Sequence, residues 1–227
     1  MANNAPLKIA LGASALALTA SPAAATEDDL NVWAGQFVVA DVDEDGDWFV
    51  RGEAQERFTN DADRLGQLLL RMLVGYRLNK DVSIGGGYAY ILTDPVGPVK
   101  LNEHRYYQEL NVRLFDRDGI TLDSRTRLEQ RTFEEGESTS WRFRNFVQLR
   151  VPVSENNKLV AYTEPFIELN ETDFQRGGLS VWRNFAGVSI PIAERIEVVP
   201  GYLNQTVFRE GENRMDHVAN VNLFMSF

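Results

Sequence analysis

The chain has 227 residues, 25% of them charged, two histidines, no cysteine and a formal charge of −10. The acidic balance and the lack of a basic stripe with interleaved aromatics argue against nucleic acid as a partner, and without cysteine there are no disulfides and no cysteine-held metal. Length suits one domain, and the mildly negative mean hydropathy still allows membrane insertion, because every second strand residue of a transmembrane barrel faces a polar lumen.

Residues 1–25 read as a cleaved export signal. Lys8 supplies an early positive charge, Ile9 to Ala20 is an apolar run, Pro22 breaks it, and Ala23-Ala24-Ala25 forms a small-residue cleavage site. The run is shorter than the roughly 20 residues of a membrane-spanning helix. The mature chain is expected to begin at Thr26, with residues 26–227 as a single domain.

No later stretch has helical periodicity or the length of a transmembrane helix. Strand-like runs rich in Val, Leu, Phe, Tyr and Arg occupy 30–40, 48–58, 64–78, 82–92, 103–115, 120–133, 139–153, 158–170, 180–192, 195–208 and 215–227, divided by Asp/Asn/Gly/Glu clusters. Most are longer than the usual soluble strand and match the roughly nine to eleven residues that a tilted strand needs to cross a bilayer. The fold class is therefore all-β, an antiparallel transmembrane barrel of ten to twelve strands. Eleven runs are legible, but bacterial single-chain barrels normally use an even number, so twelve is preferred.

The first connection, Asp41-Val42-Asp43-Glu44-Asp45-Gly46-Asp47, resembles the front of a calcium loop. Asp41, Asp43, Asp45 and Asp47 could converge on a cation, but the twelfth loop position, where such loops carry a bidentate Glu, is Gly52. A solvated Asp-Gly hairpin turn accounts for the segment as well, so no metal is expected, and nothing in the chain calls for a cofactor. Gly85-Gly86-Gly87 has no helix after it and so no phosphate-loop context. It reads as a strand bend or as room for a bulky neighbour.

Alternation is the strongest signal. In 139–153, Trp141, Phe143, Asn145, Val147, Leu149, Val151 and Val153 oppose Arg142, Arg144, Phe146, Gln148 and Arg150; in 120–133, Ile120, Leu122, Ser124, Thr126 and Leu128 oppose Asp123, Arg125, Arg127, Glu129 and Arg131. In 158–170, Leu159, Ala161, Thr163, Pro165, Ile167 and Leu169 oppose Tyr162, Glu164, Phe166 and Glu168. The polar face carries rows of Arg and Glu, continued by Arg51, Glu53, Arg57, Arg105, Glu109, Arg113, Arg183 and Glu197. Such rows suit a shared interior where opposite charges pair between neighbouring strands. Trp33, Trp48, Trp141, Trp182, Tyr76, Tyr106, Tyr202 and Phe208 lie toward the run ends, as interfacial girdles would require.

The two histidines, His104 and His217, share the parity of the apolar face near one rim. A serine-hydrolase arrangement would need a nucleophile placed beside one of them, and the sequence pairs no serine with either; no catalytic residue is assigned. The chain closes on Leu223-Phe224-Met225-Ser226-Phe227, where Leu223, Met225 and Phe227 face lipid and read as an assembly signal for the outer-membrane insertion machinery. With a periplasmic C-terminus, the short connections at 79–81, 116–119, 154–157 and 193–194 fall on the periplasmic side and the mostly longer ones at 93–102, 134–138, 171–178 and 209–214 fall outside.

The run Arg125-Thr126-Arg127-Leu128-Glu129-Gln130-Arg131, followed by Trp141-Arg142-Phe143-Arg144, the acidic strand at Tyr162-Thr163-Glu164-Pro165-Phe166, Gly201-Tyr202 and Asp216-His217, resembles the outer-membrane barrel family DUF2490 over most of the mature chain. The resemblance implies a barrel and no known activity. The chain departs from the family pattern at Pro165 and at Arg176-Gly177-Gly178.

These features lead to a protein of the bacterial outer membrane, in contact with its lipid and its assembly machinery. Its role would be structural or that of a narrow channel for small solutes, with surplus lumenal Arg favouring anions. Two other classes remain open: a membrane-embedded lipid or lipopolysaccharide hydrolase, and a soluble periplasmic β-sandwich.

Overall fold

The computed structural model describes residues 28–59, 61–94 and 100–227; the export signal expected at 1–25 lies outside them. Eleven strands follow in order: β1 (Asp28–Asp41), β2 (Trp48–Thr59), β3 (Arg64–Asn79), β4 (Val82–Thr93), β5 (Leu101–Arg117), β6 (Ile120–Phe133), β7 (Ser140–Pro152), β8 (Lys158–Glu168), β9 (Gly178–Ala193), β10 (Ile196–Val207) and β11 (Arg214–Ser226). Each pairs antiparallel with its chain neighbour, and β1 closes the barrel against β11. The shortest strand, β8, has 11 residues and the longest, β5, has 17, so each can cross a bilayer.

The count is eleven, within the ten to twelve expected but not the preferred twelve. Neighbours alternate in direction, so in a barrel with an odd count the first and last strands run the same way. β1 and β11 accordingly pair in parallel, from Asp28 opposite Met215 to Val39 opposite Ser226. At this seam Phe37 sits opposite Phe224 and their rings stack at 4.6 Å.

The shortest and the longest connections lie at opposite ends of the barrel. At the end carrying the C-terminus, β3–β4, β5–β6 and β9–β10 reverse within two residues each. Asp118 and Gly119, with φ of 53° and 79°, supply the positive φ pair of a tight hairpin. The far end carries the longer connections, including 94–100 and 169–177.

The side chains are inverted relative to a soluble sandwich. Buried positions include Arg71, Glu109, Arg127, Glu129, Arg144 and Glu164, whereas Met72, Val74, Leu70 and Tyr106 are exposed at 70%, 53%, 46% and 60%. A sheet burying guanidinium groups while presenting continuous aliphatic surface is built for an apolar exterior. Trp48, Trp141 and Trp182 stand outward. Trp33 does not: its parity is inward and it is only 6% exposed, which removes it from the expected girdle. Glu56 also breaks the pattern, sharing the outward parity and accepting a hydrogen bond from Gln36 at 3.1 Å.

Glycines make room for lumenal rings. Gly187 and Gly201 are register partners on β9 and β10, and the Phe185 ring lies over both. In the glycine triplet, Gly87 leaves the space filled by Tyr107, whose hydroxyl donates to the Met72 carbonyl at 3.0 Å. A Cβ at Gly201 would stand 2.5 Å from both Phe185 Cζ and the Ala186 carbonyl oxygen. Gly201→Ala is therefore expected to destabilise the barrel by about 1–3 kcal/mol. Gly52→Ala, with nothing within 4 Å of the added methyl, is expected to change little. Thermal midpoints from heat-modifiable gel migration would compare the two.

Candidate functional site

Alternation alone puts charges on the inner face; the register then sets sign against sign. Directly opposite one another across strand pairs stand Glu53 and Arg71, Glu109 and Arg127, Arg113 and Asp123, Glu129 and Arg142, and Arg142 and Glu168. The guanidinium fork then reaches beyond its own partner, so the pairs fuse into a lattice.

At its centre, Glu109 on β5 accepts from Arg51 on β2 at 2.6 Å and from Arg127 Nε on β6 at 2.9 Å. Glu129 accepts from Arg142 Nε at 2.9 Å and Arg144 Nη1 at 2.7 Å, and Arg127 Nη1 lies 3.6 Å from it. Glu164 accepts from Arg144 Nη2 at 2.8 Å and Arg125 Nη2 at 3.0 Å. Rings cover the cations, with Arg127 4.4 Å from the Tyr107 centroid and Arg144 4.1 Å from that of Phe166. Arg127 is 1% exposed and Glu129 0%. Bare charges this deep would cost several kcal/mol each; here the desolvation is offset by multiple charge-assisted bonds per carboxylate.

Toward the far end, Arg105 grips Glu103 bidentately with both bonds at 2.7 Å, Arg131 adds a third at 2.5 Å, and Glu168 accepts from Ser140 and Ser180 at 3.1 and 2.9 Å. Toward the C-terminal end, Arg150 meets Glu197 at 2.5 Å and Arg113 meets Asp123 at 2.8 Å, the latter pair well exposed. Glu53 pairs with Arg71 at 2.5 Å. Arg57 and Arg183 stand apart from the lattice. Among the described residues their acceptors are amides: Gln55 and Gln67 for Arg57, and Gln205 for Arg183.

Sequence reasoning passed over Arg71, Glu103, Arg214 and Asp216. Arg71 is flanked by Leu69 and Leu73 on its own face and by Leu70 and Met72 on the other, so its strand shows no alternation to read. The parity of Arg105 pointed to Glu103, and that of Asn220 and Asn222 pointed to Arg214 and Asp216.

Across the lumen lies an apolar cluster, with polar side chains such as Arg183 and Gln205 beside it. Trp33, Val160, Phe185, Val199, Leu203 and Val218 form one buried cluster with Tyr162 and Phe224 against it. Between this cluster and the lattice runs a cavity of about 550 Å³ whose lining includes ten arginines and three glutamates. It extends from Val207 and Arg214, near the far ends of β10 and β11, to Val39 and Glu197, near the C-terminal end.

The remaining candidates lie elsewhere. His104 and His217 are on the outer face, each with Nδ1 at 2.6 Å from a tyrosine hydroxyl, Tyr88 and Tyr202 respectively. The acidic loop does not gather around a point. Asp41 accepts from Arg77 at 2.8 Å, Asp43 from the Trp48 amide at 3.0 Å, and Asp47 from the Tyr76 hydroxyl at 3.4 Å. Leu223 and Met225 point outward on β11, and the Phe227 amide donates to the Val39 carbonyl at 2.9 Å, extending the seam.

Residues 30–216 match the family described as "Protein of unknown function (DUF2490)". An uncharacterized protein of Methylorubrum extorquens is 33% identical over 187 residues, covering 80% of this chain and 82% of that one. Among solved structures, OmpT of Vibrio cholerae aligns with a TM-score of 0.43 and 16% identity over 78% of this chain, which spans 59% of that one. A bacterial polysaccharide outer membrane secretin aligns with a TM-score of 0.39 and 12% identity over 74% of this chain and 72% of that one.

Arg127→Ala would leave Glu109 with one fewer donor in a buried site and is expected to cost about 3–5 kcal/mol. Arg117→Ala, which removes a pair whose side chains are 78% and 83% exposed, is expected to have no measurable effect. Unfolding midpoints in urea would compare the two.

Proposed function

The chain belongs to the DUF2490 family, and we propose that it is an outer-membrane barrel with a narrow, anion-favouring passage. The observation that carries this reading is the cavity beside the lattice, which continues along the barrel with ten arginines and only three glutamates in its lining. The whole chain is acidic at −10, so the positive lining is a local property of the lumen. A fixed surplus of guanidinium groups in a confined, low-dielectric conduit favours anions over cations. Small dimensions follow from the lattice itself, which fills the β5–β8 side.

The outward aliphatic surface and the outward tryptophans support a place in the lipid bilayer, and the short connections beside the C-terminus support its periplasmic orientation. In that orientation the long connections are extracellular, and the outward Leu223 and Met225 with the terminal Phe227 are placed for reading by the assembly machinery.

A second reading is a barrel sealed by its lattice, favoured by the near-complete burial of Arg127 and Glu129. Planar bilayers under a KCl gradient separate the two. The passage gives small, discrete steps whose reversal potential lies toward that of chloride. Cation selectivity would contradict it, and silence from protein shown to be folded by heat-modifiable migration would favour the sealed barrel.

A further inference from the structure

Two arginines of the lumen, Arg57 and Arg183, have no carboxylate partner among the described residues. Arg57 on β2 and Arg183 on β9 hold their guanidinium carbons 4.2 and 4.9 Å from the centroid of one ring, that of Trp33. Among the described residues neither forms an ion pair. Arg57 is held by Gln55 and Gln67. Arg183 gives only its Nε, at 2.8 Å, to Gln205, and its two terminal amines meet no acceptor among the described residues. Glu164 is the register partner of Arg183, but its carboxylate is turned to Arg144 and Arg125. Trp33 adds an independent sign: the residue is 6% exposed, and its buried Nε1 has no acceptor among the described residues.

Buried donors are nearly always satisfied in folded proteins, and an unsatisfied one costs about 1–3 kcal/mol. A buried indole N–H on the ring against which two guanidinium groups pack without a counterion marks a place short of an anion. All three residues line the cavity. The same cavity is lined by Phe37, Phe185, Val199, Leu203 and Phe224, which can cover hydrocarbon and cannot satisfy charge, and Phe185, Val199 and Leu203 pack in one cluster with Trp33. The volume of about 550 Å³ falls in the range of sites for small organic ligands.

We propose that this cavity binds an amphipathic anion: a small carboxylic acid whose head lies between Arg57 and Arg183 at the Trp33 indole, and whose aryl or alkyl body lies on the apolar lining. A planar carboxylate offers two acceptor oxygens to two guanidinium forks, a match that a hydrated point cation would not provide. An inorganic anion would use the head site and leave the apolar lining idle. The site names the solute class of the passage and rests on that reading for how the ligand enters; binding itself does not require conduction.

Isothermal titration of the folded, detergent-solubilised barrel with 4-phenylbutyrate, corrected against empty micelles, tests the site. The acid is expected to bind, with 4-phenylbutanamide and inorganic phosphate each at least about tenfold weaker. Arg57→Gln and Arg183→Gln are each expected to lose about tenfold or more, while Arg117→Gln, outside the cavity, matches the parent. Heat-modifiable migration checks that each variant is folded, and the acid–amide comparison on the parent protein needs no variant. Equal binding of acid and amide, equal binding of phosphate, or undiminished binding in both arginine variants overturns the proposal. Anion-selective conductance without acid binding removes the site and spares the passage; acid binding by a silent barrel does the reverse.

Discussion

A guanidinium group carried into the interior of a barrel must find an acceptor there, and in this lumen most of them find a carboxylate. This constraint fixes much of the molecule. Sliding a strand by one residue would turn its charges toward hydrocarbon and its aliphatic side chains into the lattice, so the pairing of Glu109 with Arg127 and of Glu129 with Arg142 selects the register of β5, β6 and β7. The reach of arginine extends the effect beyond neighbouring strands. Arg51 on β2 ends on Glu109 of β5, and Arg150 on β7 ends on Glu197 of β10, so opposed parts of the wall are tied through the lumen.

The lattice does not occupy the whole interior. The strands around the parallel β1–β11 seam bury Trp33, Leu203 and Val218, with Phe37 stacked on Phe224 at 4.6 Å. Parallel pairing is slightly weaker per residue than antiparallel pairing, and here aromatic stacking and apolar packing reinforce it. The lattice and this apolar cluster cannot interpenetrate without leaving donors unsatisfied, and the cavity is lined by both. There water, an anion, or an anion with an apolar body can satisfy both kinds of lining at once.

Much of this is written plainly in the sequence. The eleven strand runs fall within a few residues of the strands, and the parity of Arg125 to Arg131 and of Arg142 to Arg150 puts every one of those charges on the inner face. Three features needed coordinates. Arg71 was hidden because β3 is apolar on both faces. Trp33 reads as one more interfacial aromatic until its neighbours Arg57 and Arg183, far away in sequence, are brought over its ring. The closing of an odd count by a parallel seam is a property of the whole circuit that no single run reveals. Which carboxylate serves which arginine depends in the same way on register and reach.

The orientation of the two faces is most directly measured by spin labels placed one at a time along β7, a chain without native cysteine making each site clean. In bilayers, labels at Phe143, Val147 and Leu149 should be relaxed strongly by oxygen dissolved in the hydrocarbon, and labels at Phe146 and Gln148 should be shielded from it. The reverse pattern, with the even-numbered sites bathed in lipid, would mean that the charged rows face outward and that no lumenal lattice exists.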